Sequence, residues 1–600
     1  MAIAPPRADG APLPMSRCVP AACILIASSL LGCSQGSKVT PTQTATRAPG
    51  AAPGILVHTD VVTSRNNLAR TGANLTESVL TPANVKASSF GLLQILPTDG
   101  AVFAQPLYLA QLTVGGAKHD VVFVVTEHDS AYAYDADSGA QLWHTSLTLE
   151  HETPSDSRGC YQIFPEIGVT ATPVIDRSAG PAGAIYIVAM SKDRAGRYHQ
   201  RLHALDVTSG GELFGGPREI QASFPTQHGT TTFDPAQYKE RAALLLLGGE
   251  IYTLWASHCD NLPFTGWIIA YSASGSLAQT QVLNLGPNGN EGPGLWQGGG
   301  GPAADPAGNL YIMAGNGPFE TTLDSNGFPN AHDFGNSFVK ISTAGGRLAV
   351  ADYFAMWNVL SEANDQADLD LGGSGPILLP DLTDSSGNVK HLALGAGKDG
   401  NIYVVDRDSM GKFNPSKNAI WQEVDHAVPR GMRTTGAYFN GRLYLADFNG
   451  TLKAFSITNA RLSTTPTSTT PMVFAYPGTA PAVSAHGNAA GIVWAIQNAN
   501  PAVLRAFDAS DLADELYDSK QAGGRDAFGN YVSMTVPTIA DGRVFVGSTV
   551  GVAVFGLLPS TAQWNVIRRL TLELRRHPLR QVLGRRLERA RERLHKLLRN

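Results

Sequence analysis

The chain has 600 residues, of which 43% are hydrophobic and 16% are charged. Its 63 glycines and 37 prolines favour many short strands and tight turns over long helices. The net charge is −5, although residues 559–600 carry twelve Lys and Arg against three Asp and Glu, so the main body is acidic. An acidic body argues against nucleic-acid binding.

The N-terminus has the pattern of a bacterial lipoprotein signal. Arg17 precedes an apolar run at residues 21–31, which ends in Leu30-Leu31-Gly32-Cys33. The run is too short for a permanent membrane span, so residues 1–33 are predicted to be a signal that ends at a lipidated Cys33. The alternative is an ordinary signal peptide with an incidental cysteine. Ser34 after the cysteine resembles lipoproteins sent to the outer membrane, which predicts a lipid-anchored protein of the bacterial envelope facing the periplasm.

Residues 34–56 are rich in Ser, Thr, Pro, Gly and Ala, which predicts a flexible linker. Of the five cysteines, two lie in the signal and Cys33 carries the lipid, so Cys160 and Cys259 remain. Two thiols in an oxidising compartment can form a disulfide. The sequence alone does not show that they meet.

A degenerate repeat runs through residues 57–558. Each copy has apolar strands with Gly or Asp-Gly turns and an Ala-x-Asp strand end before Ser/Thr-Gly, a pattern typical of antiparallel strands. The eight copies are clearest at residues 120–147, 184–211, 250–275, 309–346, 401–411, 442–458, 492–511 and 543–557. One such small sheet buries its faces only against its neighbours. We therefore predict an all-β, eight-bladed β-propeller, with seven blades as the alternative and residues 90–96 as the fourth strand of the last blade.

Residues 559–600 differ from the repeats. Arginines surround a stripe of leucines, which predicts a short basic amphipathic helix that contacts the membrane or an acidic partner. The alternatives are a tail packed on the propeller and a disordered tail.

Three separated motifs carry a more specific resemblance. They are Ala314-Gly315-Asn316-Gly317-Pro318-Phe319, Asp368-Leu369-Asp370-Leu371-Gly372-Gly373 and Lys398-Asp399-Gly400-Asn401-Ile402-Tyr403. The repeats resemble the pyrroloquinoline quinone (PQQ) repeat, and the body at 57–558 resembles the eight-bladed quinoprotein alcohol dehydrogenases. The resemblance implies PQQ on the propeller axis above a Ca²⁺ ion.

The resemblance also implies metal ligands. Asn316 matches the family's amide ligand, and Asp260 closes a Ser-His-Cys-Asp turn where the family has a Glu. Both supply the oxygen ligands that Ca²⁺ prefers. Asp is one methylene shorter than Glu, so its reach to the metal is shorter.

Two further residues match the family's catalytic positions. Asp370 matches the base that takes the alcohol proton, with Asp368 two residues away as an alternative on the same face of a strand. A carboxylate near Ca²⁺ is expected to have a lowered pKa. Lys398 matches the cation that polarises the quinone oxygen.

The two faces of the flat cofactor are expected to be covered by this chain. Trp296 matches the family's floor tryptophan, since an indole stacks well beneath a flat ring. The family covers the opposite face with a disulfide between adjacent cysteines, and this chain has no such pair. We hypothesise that Cys160 and Cys259 form an inter-blade bridge near the same ring face.

Two departures from the family pattern bear on function. Thr126-Glu127-His128-Asp129 stands where the dehydrogenases carry an arginine for the cofactor's carboxylates, so a cation is needed from elsewhere. The sequence has no Cys-x-x-Cys-His haem motif, so electrons must leave to a separate acceptor.

The resemblance therefore implies a PQQ- and calcium-dependent dehydrogenase of an alcohol, a sugar or a related hydroxyl compound. Its main rival is a non-catalytic propeller lipoprotein that binds a protein partner as a scaffold, as in outer-membrane protein assembly. A propeller that binds sugars or a polymer without redox chemistry is a third alternative.

Overall fold

The computed structural model describes residues 58–360 and 368–560. The predicted signal and its lipidated Cys33, the linker at 34–56 and nearly all of the tail at 559–600 lie outside the described residues. The described chain is almost entirely β-structure and forms an eight-bladed propeller. The prediction of eight blades is confirmed, and the seven-blade alternative is wrong.

Each of the first four blades has four principal antiparallel strands that correspond to one repeat. In chain order these strands are Leu107–Val114, Ala117–Val125, Ser130–Asp135 and Gln141–Ser146 in blade 1; Val174–Asp176, Ala184–Asp193, Tyr198–Asp206 and Arg218–Glu219 in blade 2; Leu245–Leu247, Glu250–Ser257, Trp267–Ser272 and Gln279–Asn284 in blade 3; and Ala303–Ala304, Asn309–Met313, Ser337–Ser342 and Ala349–Ala355 in blade 4.

The last four blades repeat this arrangement. Their strands are Ile377–Leu378, Leu392–Ala396, Ile402–Asp406 and Gln422–Val424 in blade 5; Ala437–Phe439, Arg442–Ala446, Gly450–Thr458 and Ser468–Phe474 in blade 6; Ala482–His486, Ala489–Gln497, Val503–Asp508 and Asp511–Asp518 in blade 7; and Thr538–Ala540, Arg543–Ser548, Gly551–Leu557 and Phe90–Pro97 in blade 8.

The ring is closed by a strand from the beginning of the propeller. Phe90–Pro97 pairs antiparallel with Gly551–Leu557, with Phe90 opposite Leu557 and Pro97 opposite Gly551. This strand completes the last blade, as the sequence predicted for residues 90–96. Closure in this way leaves the ring without an open end and joins the two ends of the repeat array.

Smaller elements decorate the blades. Short additional strands are Ala73–Asn74, Glu152–Asp156, Glu166–Ile167, Ser223–Thr226, Gly229–Thr232, Tyr238–Glu240, Leu382–Thr383, Val389–Lys390, Lys412–Phe413 and Arg461–Leu462. The described residues include 3-10 turns at Ala344–Gly346, Leu371–Gly373 and Gly523–Asp526. Across 58–360 and 368–560, no helix is both long enough and apolar enough to cross a membrane.

The hydrophobic core lies between neighbouring blades. Tyr252 of blade 3, Tyr311 of blade 4 and Tyr403 of blade 5 belong to one continuous cluster of buried side chains. The alternation of apolar residues along each strand produces this arrangement, because one face of a blade packs on the blade before it and the other on the blade after it.

A run of glycines lies where segments from several blades meet. A side chain at Gly298 would come within 2.7 Å of the Arg433 carbonyl oxygen, and one at Gly299 or Gly301 would come equally close to Met534 or Ala243. These neighbours lead into blades 6, 8 and 3, so the run at 298–301 lies at the centre of the ring. Close backbone approach therefore explains these glycines.

Two buried arginines attach the N-terminal segment to the ring. Arg65 donates to the carbonyl oxygens of Pro481, at 2.7 Å, and Gly436. Arg70 donates to those of Pro302, at 2.9 Å, and Leu244, at 3.2 Å. These carbonyl groups directly precede blades 7, 6, 4 and 3, so the two guanidinium groups connect four blades. Burial lowers the pKa of both arginines to about 9.

Candidate functional site

A cavity of about 370 Å³ is lined by loops from several blades. It contains six of the residues that the sequence singled out, together with Asp368, the alternative base. The six are Cys259, Asp260, Trp296, Asn316, Asp370 and Lys398. Residues separated by more than a hundred positions in sequence are thus brought to one place. Cys160 reaches the same region through its bond to Cys259.

Cys160 and Cys259 form a disulfide that links two loops 99 residues apart in sequence. The predicted inter-blade bridge is therefore present, since Cys160 precedes blade 2 and Cys259 follows the second strand of blade 3. Cys259 and Asp260 both have left-handed backbone conformations, with φ of 51° and 56°. Such conformations are uncommon for residues other than glycine and persist where the surrounding structure imposes them.

Asp260 and Asn316 are in direct contact. The Asn316 Nδ2 atom donates to the Asp260 Oδ1 atom at 3.0 Å. The Asn316 Oδ1 atom is buried and has no hydrogen-bond partner. An amide oxygen without a partner is unfavourable in a protein interior, so this atom is available to a ligand.

Asp368, Asp370 and Lys398 form a charged cluster in the cavity. Lys398 Nζ lies 2.5 Å from Asp368 Oδ1 and 2.6 Å from Asp370 Oδ1. Asp370 is almost fully buried, whereas Asp368 is half exposed and also pairs with Arg433 at 2.9 Å. The two aspartates lie in a loop that leads into the 3-10 turn Leu371–Gly373 and not in a strand. The expectation of a shared strand face is therefore wrong, although both carboxylates reach the same lysine.

Burial and the ion pairs act against each other on these groups. Burial lowers the pKa of Lys398, but Asp370 and Asp368 outweigh it and raise this pKa to about 12. Burial raises the pKa of Asp368, but the charges of Lys398 and Arg433 outweigh it and hold this pKa below its usual value. Burial raises the pKa of Asp370 more than Lys398 lowers it. The pKa of Asp370 is therefore raised in the protein alone. The lowered pKa expected from the sequence requires a Ca²⁺ ion beside this carboxylate.

Trp296 packs tightly beside these residues. Its Nε1 atom lies 2.3 Å from the position of a side-chain carbon at Gly294. A side chain at Gly315 would meet the Asp370 Oδ2 atom at 3.0 Å and the Trp296 ring at 3.3 Å. Glycine at 294 and 315 therefore allows the indole and the carboxylate to lie side by side.

The cavity also contains cations that the sequence analysis missed. Arg241 and Arg433 line it, together with Gln162, Tyr476 and Met534. Glu127, which stands where the family has an arginine, is buried and accepts hydrogen bonds from Gly168 N and Thr170 Oγ1, both at 3.0 Å. Arg241 and Arg433 thus place positive charge in the cavity from two other parts of the chain.

A regular register could have identified these cations. In every blade except blade 7, the residue four positions before the first principal strand lines a cavity. The cavity is either this one or a smaller one of about 20 Å³, which shares Arg241 and Met534 with it. We call these positions the axial ring; they are Phe103, Thr170, Arg241, Gly299, Gly373, Arg433 and Met534. Its two charged members are both arginines.

The fold is similar to that of solved quinoprotein dehydrogenases. The quinohemoprotein alcohol dehydrogenase from Comamonas testosteroni superposes with a TM-score of 0.57 and 15% identity, over 84% of this chain and 82% of that chain. A europium-containing methanol dehydrogenase superposes with a TM-score of 0.54 and 13% identity, over 83% of this chain and 98% of that chain.

BamB from Moraxella catarrhalis is less similar, with a TM-score of 0.44 and 12% identity over 78% of this chain and 97% of that chain. No family model matches the sequence, and no curated protein does. At such identities the shared feature is the propeller fold, and function has to be argued from the site.

The site combines three chemical capacities. Asp260 and Asn316 present oxygen atoms suited to a hard cation. Arg241, Lys398 and Arg433 present positive charge to an anion or to a polarised carbonyl group. Asp370 is a buried carboxyl group with an oxygen atom, Oδ2, that is not engaged by Lys398, which suits it to proton transfer.

Proposed function

We propose that this protein is a quinoprotein-like dehydrogenase that oxidises an alcohol, a sugar or a related hydroxyl compound with PQQ and Ca²⁺. The convergence of Asp260, Asn316, Asp370 and Lys398 on one cavity carries the proposal. Each of these residues stands in a separate sequence motif. The similarity in fold to alcohol and methanol dehydrogenases supports it.

Asp260 and Asn316 fit a calcium ion. The buried Asn316 Oδ1 atom lacks a partner, and Asp260 supplies a carboxylate in contact with the same side chain. Ca²⁺ takes amide and carboxylate oxygens in flexible geometries, so these two residues would hold it.

The cavity also fits PQQ, which when bound supplies the acceptor for the hydride removed from the substrate. Trp296 offers a flat apolar face, and the Cys160–Cys259 bridge lies in the same region. Lys398 remains protonated at neutral pH, since its pKa is raised to about 12, and so provides a positive charge. A fixed cation of this kind stabilises negative charge that develops on a nearby oxygen atom.

Asp370 is the proposed base for the substrate hydroxyl group. Its Oδ1 atom pairs with Lys398 Nζ, so Oδ2 is the atom that accepts the proton. Burial raises the pKa of Asp370 and so increases its basicity, while Lys398 favours the ionised form. The side chain is only 3% exposed, which excludes bulk water from the proton transfer.

The proposal includes a separate electron acceptor, because the sequence has no covalent haem motif. It also includes a lipid anchor on Cys33 in the bacterial cell envelope, at the outer membrane and facing the periplasm. The basic segment at 559–600 is a second proposed contact with the membrane or with a protein partner.

Calorimetry with PQQ on the purified chain, with and without Ca²⁺, tests the proposal. We expect Ca²⁺-dependent binding that is lost in Asn316→Ala, followed by dye reduction with members of a panel of alcohols and sugars. Asp370→Asn should bind PQQ but reduce no dye. Asp447→Asn is the matched control, since Asp447 is equally buried and paired with Lys453 outside the cavity; it should retain both properties.

The absence of PQQ binding both with and without Ca²⁺ would rule out the proposed function. A binding or scaffold propeller would then be the remaining interpretation. Binding without dye reduction by any hydroxyl compound would keep the cofactor and reject the substrate class.

A further inference from the structure

Arg241 presents a buried cation to the cavity. It is 8% exposed, and its contacts go to neutral groups: Nε to Met534 Sδ at 3.1 Å and Nη2 to the Ser533 carbonyl oxygen at 3.3 Å. Its Nη1 atom is buried and has no hydrogen-bond partner. Burial lowers the pKa of Arg241, so the charged form gains from an added anion.

Arg433 is held at the same cavity with one side free. Its guanidinium group lies 4.2 Å from the centre of the Phe448 ring and 6.0 Å from that of Tyr476. Its Nη2 atom donates to Asp368, whereas its Nη1 atom is buried without a partner. The aromatic contact fixes the plane of the group, which favours recognition of a planar anion.

The other charged groups in the cavity show that the two arginines are free to bind a ligand. Lys398 is in contact with both Asp368 and Asp370, so it is already compensated by carboxylates. Asp260 is the remaining carboxylate of the lining, and it contacts Asn316. Arg241 and one edge of Arg433 are therefore the cationic groups with unused hydrogen-bonding capacity.

We propose that Arg241 and Arg433 recognise the carboxylates of a flat aromatic polycarboxylate, and that they replace the arginine missing from the first repeat. This inference deepens the proposed function, since PQQ belongs to that chemical class. Two carboxylate contacts would satisfy the two buried Nη1 atoms, and Trp296 offers a face for the ring. The guanidinium fork matches a carboxylate better than an ammonium group does.

The test uses three probes on the purified chain. They are PQQ, its trimethyl ester, and benzene-1,3,5-tricarboxylate, which has the carboxylates but no quinone. Affinities from calorimetry are compared for wild type, Arg241→Gln and Arg433→Gln. Each variant should weaken binding of the two acids by about 10- to 100-fold, since a hydrogen bond to a charged group is lost, and should leave binding of the ester nearly unchanged.

Arg505→Gln is the matched control. Arg505 is also 8% exposed but pairs with Glu515 in blade 7, so its loss perturbs the fold without touching the cavity. Arg241→Lys keeps the charge and loses the fork, and it should bind the acids with intermediate affinity. If Arg241→Gln does not fold, Arg241→Lys and the less buried Arg433→Gln carry the test.

The outcomes separate this inference from the proposed function. Arginine-dependent binding of benzene-1,3,5-tricarboxylate without binding of PQQ would support the inference and reject the proposed function. Full-affinity PQQ binding by both glutamine variants would overturn the inference and leave the proposed function standing. Equal losses for acid and ester would also overturn it, because the arginines would then act through the fold.

Discussion

The side-chain amide of Asn316, after the second strand of blade 4, donates to the carboxylate of Asp260, after the second strand of blade 3, at 3.0 Å. This contact joins two residues that are 56 positions apart. It leaves the Asn316 Oδ1 atom buried and unpartnered. The pair therefore has the composition of an incomplete oxygen-ligand site.

Substitutions of Asn316 should either strengthen or abolish the effect of Ca²⁺ on the melting temperature of the protein. Asn316→Asp places a second carboxylate beside Asp260, so like-charge repulsion should lower the melting temperature in EDTA and Ca²⁺ should restore it. Asn316→Ala should abolish the response to Ca²⁺. For wild type at 100-fold excess over Kd, Ca²⁺ should contribute about 2.7 kcal/mol of stability. Calorimetric melting with Ca²⁺, Mg²⁺ and EDTA measures these effects; equal responses of wild type and Asn316→Ala would exclude Asn316 as a ligand.

Loss of Lys398 should leave Asp370 as an uncompensated buried acid. Lys398→Met should reduce the free energy of unfolding by about 3–5 kcal/mol at pH 7, as expected when one partner of a buried pair is removed. The pKa of Asp370 is already raised by burial and should rise further without the lysine. An acid with a pKa above its unfolded value destabilises the fold increasingly as pH rises, so the loss should be smaller at pH 5 than at pH 7.

Two further variants make this result specific. Lys398→Met with Asp370→Leu should recover much of the lost stability, because the double variant has no unpaired charge. Lys453→Met breaks the pair with Asp447, which is buried to the same extent, and should destabilise the fold without affecting ligand binding in the cavity. Urea denaturation between pH 5 and pH 8 measures the free energy of unfolding of each variant. A loss of stability in Lys398→Met that does not depend on pH would show that Asp370 is not the group responsible.

The blades were predictable because their signal is local. Alternating apolar residues and turn glycines recur in every copy, and burial between neighbours requires this alternation. The closing strand was predictable for the related reason that the last repeat was one strand short. Arg65 and Arg70 were not predictable in this way, because they donate to backbone carbonyl groups up to 416 residues away and no side-chain pattern marks such acceptors.

The candidate site was predictable only in part. Asp260, Asn316, Asp370 and Lys398 stood in recognisable sequence motifs. Arg241 and Arg433 are visible only from the register of the axial ring, four positions before the first strand of a blade. That register requires strand starts accurate to one residue, and element boundaries are the least accurate feature of a sequence prediction.

The disulfide should stabilise the propeller and the cavity together. Cys160 and Cys259 close a loop of 99 residues, and removal of a disulfide costs about 2–4 kcal/mol in typical cases. Cys160→Ser with Cys259→Ser should therefore lower the unfolding free energy by that amount and weaken ligand binding through Asp260. Mass spectrometry of non-reduced peptides identifies the bond directly. Two free thiols, or a double variant as stable as the oxidised wild type, would contradict the pairing.

The N-terminal arginines should be essential to the stability of the ring. Arg70 is fully buried and donates to Pro302 O and Leu244 O, so Arg70→Met leaves carbonyl groups of two blades without donors. Each buried unpaired acceptor costs about 1–3 kcal/mol, which predicts a loss of about 3 kcal/mol or more in unfolding free energy. Arg197→Met is the control, since Arg197 is exposed and pairs only at the surface with Asp193; it should change stability by less than about 0.5 kcal/mol. Urea denaturation of both variants decides the matter, and equal stabilities would mean that the N-terminal segment does not hold the blades together.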